Sequence, residues 1–320
     1  MNMNNNKTLE TASKAAELSV QTGYLRCAID RLTIVGNLSD DYRNNIGRIG
    51  LLPWKPLGTL IGGGWRAQVF PDRKAKIYVE YDPDNAIKMG KRNFRAECNP
   101  NLMAYDQLQA LFEIILPELD KVSISRLDLA FDFERSLHDV VFDKNVSGGK
   151  YWGKGGETQT IYYGAPSSNL RCRIYDKKAE RMHKGDEEDK EEYSHYDTLW
   201  RIEYELTGSG YIQDQMRKKF HVLQETAITR RDYNTKLDVP LSAQEMLIMK
   251  AYDEDRELFN KLSSRTKAKY RKLLKLISHV DLSDGLRDLT KSMNITRDKD
   301  ITVDLLAFCE SILAKENPLP

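Results

Sequence analysis

Alternating apolar and polar residues run through the chain from about residue 28 to residue 207, and this period of two is typical of β-strands. The segments that show it are 30–36, 65–70, 76–81, 93–99, 122–133, 160–163, 170–175 and 199–206. Short connections between them favour antiparallel pairing. One helix is predicted within this series, over 100–116, with Asn99 as its N-cap.

Beyond Gly208 the pattern changes to the spacing of helices. Ser242 and Glu245 form a capping box ahead of one helix, and residues 263–277 are predicted to form another. The expected fold class is α+β, with a large curved, mostly antiparallel sheet, helices on one face and an α-helical C-terminal segment. We divide the chain into a flexible N-terminal arm over 1–27, a strand-rich body over 28–207 and a helical segment over 208–320.

Composition narrows the class of protein. The 320 residues include 49 Lys and Arg against 48 Asp and Glu, a formal net charge of +1, and no apolar run reaches the ~20 residues of a membrane span. The first residues lack the apolar stretch of a secretory signal, and the four cysteines form no C-x-x-C pair. We therefore expect a cytoplasmic protein without a zinc finger or a disulfide framework. The near-zero net charge argues mildly against a nucleic-acid partner.

Charged residues occupy one side of several predicted strands, because alternate residues of a strand face the same way. Three strands place an arginine two residues before a carboxylate, and a fourth carries arginine, tyrosine and lysine. These residues are Arg95 and Glu97, Arg126 with Asp128 and Asp132, Arg201 with Glu203 and Glu205, and finally Arg171, Arg173, Tyr175 and Lys177. The simplest interpretation is cross-strand ion pairing on a solvated face.

The alternative interpretation is a catalytic site. Carboxylates gathered from several strands would suit Mg²⁺ or Mn²⁺, which prefer oxygen ligands. Such an ion beside arginines and a tyrosine hydroxyl is typical of phosphoryl transfer with a tyrosine nucleophile. The five histidines include no H-x-H pair, so a nickase with histidine ligands is disfavoured.

The segments RLTIVGNL, KIYVEYD, RNFRAECNPN, SRLDLAFDFE, RIYDKKAER and LWRIEYEL, in this order, resemble the Rep_trans family, the replication initiators of Gram-positive rolling-circle plasmids. The resemblance covers about residues 30–280. It implies a homodimeric, site-specific endonuclease and religase that acts on one strand. It also implies that Tyr175, in the motif RIYDKK, is the nucleophile, while Arg173 and Lys177 are placed to neutralise charge in the transition state.

We predict Glu97, Asp128 and Glu203 as the metal ligands, because they match motifs of the family and lie on one common face of the predicted strands. Asp132 and Glu205 are the reserve candidates. Each of the three could instead form a salt bridge with an arginine on its own strand, namely Arg95, Arg126 or Arg201.

A basic stretch over 261–275 carries seven Lys and Arg and no acid, which favours contact with DNA phosphates, although a solvated helix face is the simpler alternative. In the Rep_trans family this stretch helps to distinguish origins. The residues predicted to bind DNA are Ser263, Ser264, Arg265, Thr266, Lys267, Lys269 and Arg271, within a helix over 263–278. The family further implies duplex origin DNA, an extruded single-stranded hairpin and a host helicase as partners, and no membrane.

Two loops are predicted beside these elements. The run GDEEDKEE at 185–192 has six acids and one lysine and is interpreted as a solvated, flexible loop. The Gly-rich stretch 147–156 is interpreted as a hairpin or a mobile loop, whose Tyr151 and Trp152 could stack on unpaired bases.

Two other functions remain open from the sequence. A relaxase of a mobile element would use the same chemistry at a transfer origin, but no long additional domain follows residue 320. A catalytically silent DNA-binding regulator would keep the fold, but the intact RIYDKK motif and the paired acids argue against it.

Overall fold

The computed structural model describes most of the strand-rich body and parts of the C-terminal region. The described residues are 24–38, 55–57, 64–69, 75–82, 86, 88–103, 119–138, 140–142, 148–152, 158–218, 228–231, 241–254, 259–276 and 279–281. Residues 1–23 of the predicted arm and most of the predicted helix 100–116 lie outside them. Of that helix, a short 3₁₀ turn at Pro100–Leu102 is described, and the side chain of Asn99 caps it by accepting a hydrogen bond from the backbone N–H of Asn101.

Ten strands form one sheet in which the neighbours pair antiparallel, in the order β2-β3-β4-β5-β1-β6-β11-β10-β9-β8. Their bounds are β1 Tyr24–Leu38, β2 Lys55–Leu57, β3 Gly64–Val69, β4 Ile77–Tyr81, β5 Phe94–Cys98, β6 Leu119–Phe133, β8 Gly148–Trp152, β9 Thr158–Tyr163, β10 Leu170–Asp176 and β11 Trp200–Thr207. The large antiparallel sheet predicted from the alternating pattern is thus confirmed.

The pairing of β1 with β6 contains irregularities that the sequence pattern does not reveal. The two 15-residue strands shift register at four places, one of them between Ile29 and Arg31. Asp30 is the extra residue at this bulge, since Ile29 pairs with Leu129 and Arg31 pairs with Asp128. Bulges redirect side chains locally. Strand β1 also begins at Tyr24, so it extends into the region predicted as the N-terminal arm.

The two faces of the sheet differ in chemistry. One face holds the hydrophobic core, which includes Leu127, Leu129, Phe131 and Ile202. Helix α3, Ser209–Arg217, packs on this face, and its Ile212 and Met216 are buried in the same core. The opposite face, called the polar face below, carries charged residues from β4 to β10. Burial of the apolar face therefore fixes which side chains the strands present on the polar face.

Two helices follow β10 directly: α1, Lys177–Lys184, and α2, Glu187–Ser194. The prediction of a flexible acidic loop at 185–192 is wrong, because α2 occupies most of it. Asp186 caps α2 by accepting a hydrogen bond from the backbone N–H of Asp189 at 2.9 Å. The acidic residues of the first turn are attracted to the positive end of the helix dipole. Tyr193 is buried on the inner side of α2.

The C-terminal region contains the helices α4, Ala243–Glu254, and α5, Ser264–Leu276, as the sequence predicts. The capping box is present, since the backbone N–H of Ser242 donates to Glu245 and the N–H of Glu245 donates to Ser242 Oγ. The region also contains two short strands that were not predicted. These strands, β12 Ile228–Arg231 and β13 His279–Asp281, form a second sheet with β7, Val140–Phe142.

The described helices contain no apolar stretch of the length required to span a membrane.

Candidate active site

An open cleft on the polar face spans six neighbouring strands. It extends from the start of β4 to β10 and is lined by Asp30, Arg31, Lys76, Tyr78, Glu97, Cys98, Asn99, Arg126, Asp128, Arg173, Glu203 and Glu205. The three carboxylates predicted as metal ligands and one of the predicted catalytic residues, Arg173, thus line a single cleft.

Tyr175 lies next to this cleft, in a network of charged groups. Its hydroxyl donates a hydrogen bond to Glu203 Oε2 at 3.3 Å, and Lys177 Nζ donates to the hydroxyl oxygen at 3.4 Å. The Arg173 guanidinium stacks over the tyrosine ring, with its carbon 4.2 Å from the ring centroid. The structure therefore brings together the three residues predicted to be catalytic and adds Glu203 to them.

The RIYDKK motif is positioned by the change from strand to helix. Strand β10 ends at Asp176, whose carboxylate caps α1 by accepting from the backbone N–H of Ala179 at 2.8 Å. Lys177 is the first residue of α1 and returns its side chain to Tyr175. Lys178 donates to the backbone carbonyl of Tyr196 and so ties α1 to the segment before β11. The last three residues of the motif thus hold the first turn of α1 in a defined position next to Tyr175.

Arginines engage the carboxylates on the cleft floor. Arg173 donates to both oxygens of Glu203, at 2.8 and 3.1 Å. Arg126 makes a bidentate contact with Asp128, at 2.8 and 2.9 Å, and lies 3.4 Å from Glu205. Glu205 and Asp128 are direct cross-strand partners.

Glu97 lies at the other side of β1, where it is bound by Arg31 and Arg95 and accepts a hydrogen bond from Thr33 Oγ1 at 3.2 Å. Two strand spacings, about 10 Å, separate its strand from that of Asp128. Glu97 therefore belongs to the same cleft but to a different cluster of charges.

A buried arginine cluster, consisting of Arg201, Asp132, Asp30 and Asn99, lies behind the tyrosine. Arg201 is 1% exposed, makes a bidentate contact with Asp132 at 2.6 and 2.9 Å and lies 3.0 Å from Asp30. The β1 bulge directs Asp30 to this place, where it accepts a hydrogen bond from Asn99 at 3.2 Å. Arg201 is the cross-strand partner of Tyr175, so the cluster places a fixed positive charge beside the tyrosine.

Burial controls the pKa values of the site. Burial raises the pKa of the Tyr175 hydroxyl, and Glu203 raises it further, while Arg201 and Arg173 oppose the shift. Burial also raises the pKa of Asp128 to about 6, against the effect of Arg126, and the neighbouring Glu203 and Glu205 add to the rise. Lys177 has a lowered pKa because it is buried and lies near Arg201. Three carboxylates thus repel one another at the centre of the cleft.

The predicted metal ligands do not form a ready coordination shell. Within the described part of the chain, no three His, Cys, Asp or Glu side chains are arranged to hold an ion. The salt-bridge alternative accounts for Glu97 with Arg95 and for Asp128 with Arg126. It does not account for Glu203 with Arg201, because Glu203 pairs with Arg173 on the neighbouring strand.

The predicted DNA-binding residues lie on α5 and at its N-terminus. Tyr270 and Leu274 face the core shared with Met249 of α4, which leaves Arg265, Lys269, Arg271 and Lys272 exposed. Ser263 and Thr266 have a structural role, since the backbone N–H of Thr266 donates to Ser263 Oγ at 3.2 Å. Lys269 forms an ion pair with Glu245 at 2.9 Å.

Sequence reasoning missed several residues of the cleft. Arg31, Tyr78 and Lys76 follow the same alternation as the predicted site residues, so this signal was present along β1 and β4. Thr33 has the same spacing from Arg31 and donates to Glu97 of the cleft. Asp30 carries no such signal, because only the bulge brings it to the polar face.

Comparisons with known proteins agree with one another. A family profile described as the N-terminal region of RepD-like replication initiation proteins matches residues 31–119. A replication initiation protein of Staphylococcus aureus is 32% identical over 289 residues, which cover 89% of this chain and 87% of that protein. Another from the same organism is 30% identical over 267 residues, or 82% of this chain and 80% of the relative.

A solved structure of a rolling circle replication initiator protein from Geobacillus stearothermophilus is 18% identical and aligns with a TM-score of 0.37. The alignment covers 68% of this chain and 92% of that one.

Proposed function

Because the chain belongs to the family of RepD-like replication initiation proteins, we propose that it starts rolling-circle replication of a plasmid by cutting one strand at the double-strand origin with Tyr175. The observation that carries this proposal is the position of the tyrosine hydroxyl. It lies between a carboxylate acceptor, Glu203, and an ammonium donor, Lys177, beside a charged cleft. These are the groups that an attacking hydroxyl requires.

In the proposed step the Tyr175 oxygen attacks the scissile phosphorus. The new O–P bond forms as the bond from phosphorus to the 3′ oxygen breaks, so the 5′ end becomes esterified to the tyrosine and a 3′-OH is released. Glu203, which already accepts the hydroxyl hydrogen bond, takes the tyrosine proton, and solvent protonates the leaving 3′ oxygen. Polymerase extends the 3′-OH. The phosphotyrosine ester conserves the bond, so the strand is rejoined later without ATP.

Positive charge around the tyrosine supports the same step. Arg173 lines the cleft, and its side chain is 27% exposed, so its guanidinium can contact a phosphate oxygen. Lys177 approaches the tyrosine oxygen, and Arg201 lies on the adjacent strand. Charge that develops on the phosphate and on the tyrosine oxygen is thereby stabilised. Tyr175 is 4% exposed, so DNA reaches its hydroxyl from the side of Glu203 and Arg173, which border the cleft.

Mg²⁺ or Mn²⁺ is the proposed cofactor, and the carboxylates fit it in donor type. Asp128, Glu203 and Glu205 would hold the ion, because they lie together on the neighbouring strands β6 and β11. Burial, and to a smaller extent the two neighbouring glutamates, raise the pKa of Asp128, and a cation would offset this cost of its charged form. Binding requires Arg126 to release Asp128 and Arg173 to release an oxygen of Glu203. When bound, the ion would polarise the non-bridging phosphate oxygens. Of the other carboxylates named from the sequence, Glu97 is separated from this group by β1, and Asp132 is held by Arg201.

The metal proposal is tested by Mn²⁺ binding followed by electron paramagnetic resonance. Asp128→Asn should lose most of the bound Mn²⁺ and with it the metal-dependent cutting. Asp214→Asn is the matched control, because Asp214 is an exposed acid on α3 that pairs with Lys218. Equal Mn²⁺ binding by wild type and Asp128→Asn would remove Asp128 from the metal site.

Origin recognition is assigned to the exposed cations of α5, and the protein is proposed to act in the cytoplasm as a homodimer. Its further partners are then the extruded hairpin of the origin and a host helicase. Exchanging residues 263–267 for those of a relative should transfer origin preference; unchanged preference in a binding competition would contradict this assignment.

The nucleophile is tested by a gel assay for a covalent protein–DNA adduct on supercoiled plasmid with Mg²⁺ or Mn²⁺. Tyr175→Phe should abolish the adduct, because only the attacking oxygen is removed, while origin binding stays within about twofold of wild type. Tyr162→Phe, also on the polar face but outside the cleft, should retain the adduct. An adduct formed by Tyr175→Phe would contradict the proposal.

A further inference from the structure

The cleft extends far beyond the residues that the proposed cutting step uses. Its one end holds Arg173 and Glu203, beside Tyr175, and its other end holds Lys76 and Tyr78, at the start of β4. Five strand spacings separate β10 from β4 in the sheet order, or about 24 Å at ~4.8 Å per spacing. A stacked strand of nucleic acid rises about 3.4 Å per nucleotide, so about seven stacked nucleotides would span this distance.

We propose that the DNA strand to be cut lies along this cleft as an unpaired strand, and that Tyr78 stacks on one of its bases while Lys76 contacts its phosphates. This inference rests on the proposed function, because it concerns the same substrate and the same cleft. It assigns a binding role to residues that take no part in the bond exchange.

The β4 end of the cleft has the side chains that unpaired DNA requires. Tyr78 is half-buried, and its hydroxyl donates to Glu80 Oε2 at 3.4 Å, so the ring is held at one edge. Lys76 is exposed and directly precedes β4, two residues before Tyr78, and it lines the same cleft. An aromatic ring beside a cation is the usual platform for single strands, since the ring stacks on a base and the cation binds the backbone.

The charges around Tyr78 differ from those beside Tyr175. Tyr78 pairs across strands with Glu97, whose carboxylate is bound by Arg31 and Arg95. The side chains of these two arginines are 39% and 43% exposed, whereas that of Glu97 is 18% exposed. The arginines therefore cover the carboxylate, and Arg31, which lines the cleft, presents positive charge to a ligand there. The clustered carboxylates lie toward β10, where the reactive phosphate and the cation belong.

Stacking also explains why the strand must be unpaired at this end. The bases of a duplex are already stacked on their neighbours, and a tyrosine fixed on a strand cannot replace a neighbour without unpairing. The proposal therefore predicts preference for a single strand at the β4 end.

The test is fluorescence anisotropy with fluorescein-labelled oligo(dT) of about 20 nucleotides, because stacking tolerates any base sequence. Tyr78→Leu keeps the side-chain bulk but removes the aromatic ring, and it should weaken binding about 5- to 100-fold. Tyr78→Phe keeps the ring and should bind within about twofold of wild type. Tyr162→Leu is the control, since Tyr162 lies on the polar face of β9 outside the cleft.

Two results would overturn the proposal: wild-type affinity in Tyr78→Leu, or equal weakening in Tyr78→Phe and Tyr78→Leu, which would assign the effect to the hydroxyl. Circular dichroism and thermal melting of each variant separate lost binding from lost folding. Adduct formation by the wild-type protein is measured in parallel. If the wild-type protein forms the adduct but Tyr78→Leu binds oligo(dT) as wild type does, only the stacking role is refuted. If Tyr78→Leu binds more weakly but the wild-type protein forms no adduct, the cutting function is refuted.

Discussion

The charges of this protein occupy two contrasting settings, the polar face of the sheet and the surface of helix α5. On the polar face, acids and arginines alternate across neighbouring strands and neutralise one another. Arg201 forms ion pairs with both Asp132 and Asp30. Arg173 forms an ion pair with Glu203, and Arg126 forms one with Asp128. Most of these carboxylates are buried, so each side chain has few alternative positions.

Helix α5 is the opposite case. Its sequence contains no acid, and Arg265, Arg271 and Lys272 are exposed. Lys269 is tied to an acid of another helix, Glu245. Apart from that ion pair, the described contact of α5 with α4 is an apolar stripe that includes Tyr270 and Leu274.

The difference shows that net charge conceals two distinct uses of ionised groups. Buried, paired charges position one another and are weakly screened by salt, whereas exposed cations are available to an external anion and are strongly screened. The formal net charge of +1 is a sum over the whole chain, in which both settings are included without distinction. It therefore says little about whether the protein binds nucleic acid.

The largest expected effect concerns the buried arginine cluster. Arg201→Met would leave Asp132 and Asp30 buried beside an apolar side chain, so we expect the free energy of unfolding to fall by about 3–5 kcal/mol. Urea unfolding followed by circular dichroism measures this loss. The double variant Arg201→Met with Asp132→Leu should recover part of it, because one of the unpaired charges is removed.

An exposed ion pair provides the control for that prediction. Lys190 pairs with Glu187 on α2 at 2.7 Å, and Glu187 is almost fully exposed. Lys190→Met should change the free energy of unfolding by less than about 1 kcal/mol. A loss of similar size in Arg201→Met and Lys190→Met would refute the contrast between buried and exposed charges.

The sequence predicted the sheet well because the signal for it is local. Alternation in segments such as 122–133 and 199–206 reflects one buried and one polar face, and the structure has strands at both. The same alternation placed Arg173, Tyr175 and Glu203 on one face, where the structure also has them.

The remaining features depend on contacts between distant parts of the chain. Asp30 reaches the polar face only through a bulge between β1 and β6, and Glu203 pairs with Arg173 of the next strand rather than with Arg201 of its own. The acidic run at 185–192 was predicted as a loop from its charge, but the cap by Asp186 and the burial of Tyr193 stabilise a helix. The order of the strands in the sheet is not encoded in any single strand. The burial of Tyr193 likewise depends on residues outside the acidic segment.

A somewhat smaller effect is expected on α5. The triple variant Arg265→Ala, Arg271→Ala and Lys272→Ala removes three exposed cations. Each lost phosphate contact lowers affinity about fivefold at about 0.15 M salt, so we expect about 100-fold weaker binding to duplex origin DNA. The slope of log K against log salt should become shallower by about 2.7. Filter binding across a salt series measures both quantities.

The control for α5 removes lysines elsewhere on the surface. Lys190→Ala with Lys218→Ala takes away two cations that pair with acids on their own helices. This double variant should leave both the affinity and the salt slope nearly unchanged. An unchanged slope in the α5 variant would instead show that its cations make no phosphate contacts.

The smallest expected effect is the pH dependence that Asp30 adds to stability. Burial alone would raise the pKa of Asp30, but Arg201 and Lys177 hold it below 3.8, its ordinary value. A carboxyl whose folded-state pKa is depressed contributes stability above the unfolded pKa and loses it as the pH falls through the folded value. Urea unfolding of wild type and Asp30→Asn between about pH 6 and about pH 3 should therefore give a difference that is constant above about pH 5 and shrinks below it. A difference that grows toward low pH would mean that Asp30 is held protonated beside Arg201, and the buried arginine cluster would then not be an ion-pair network.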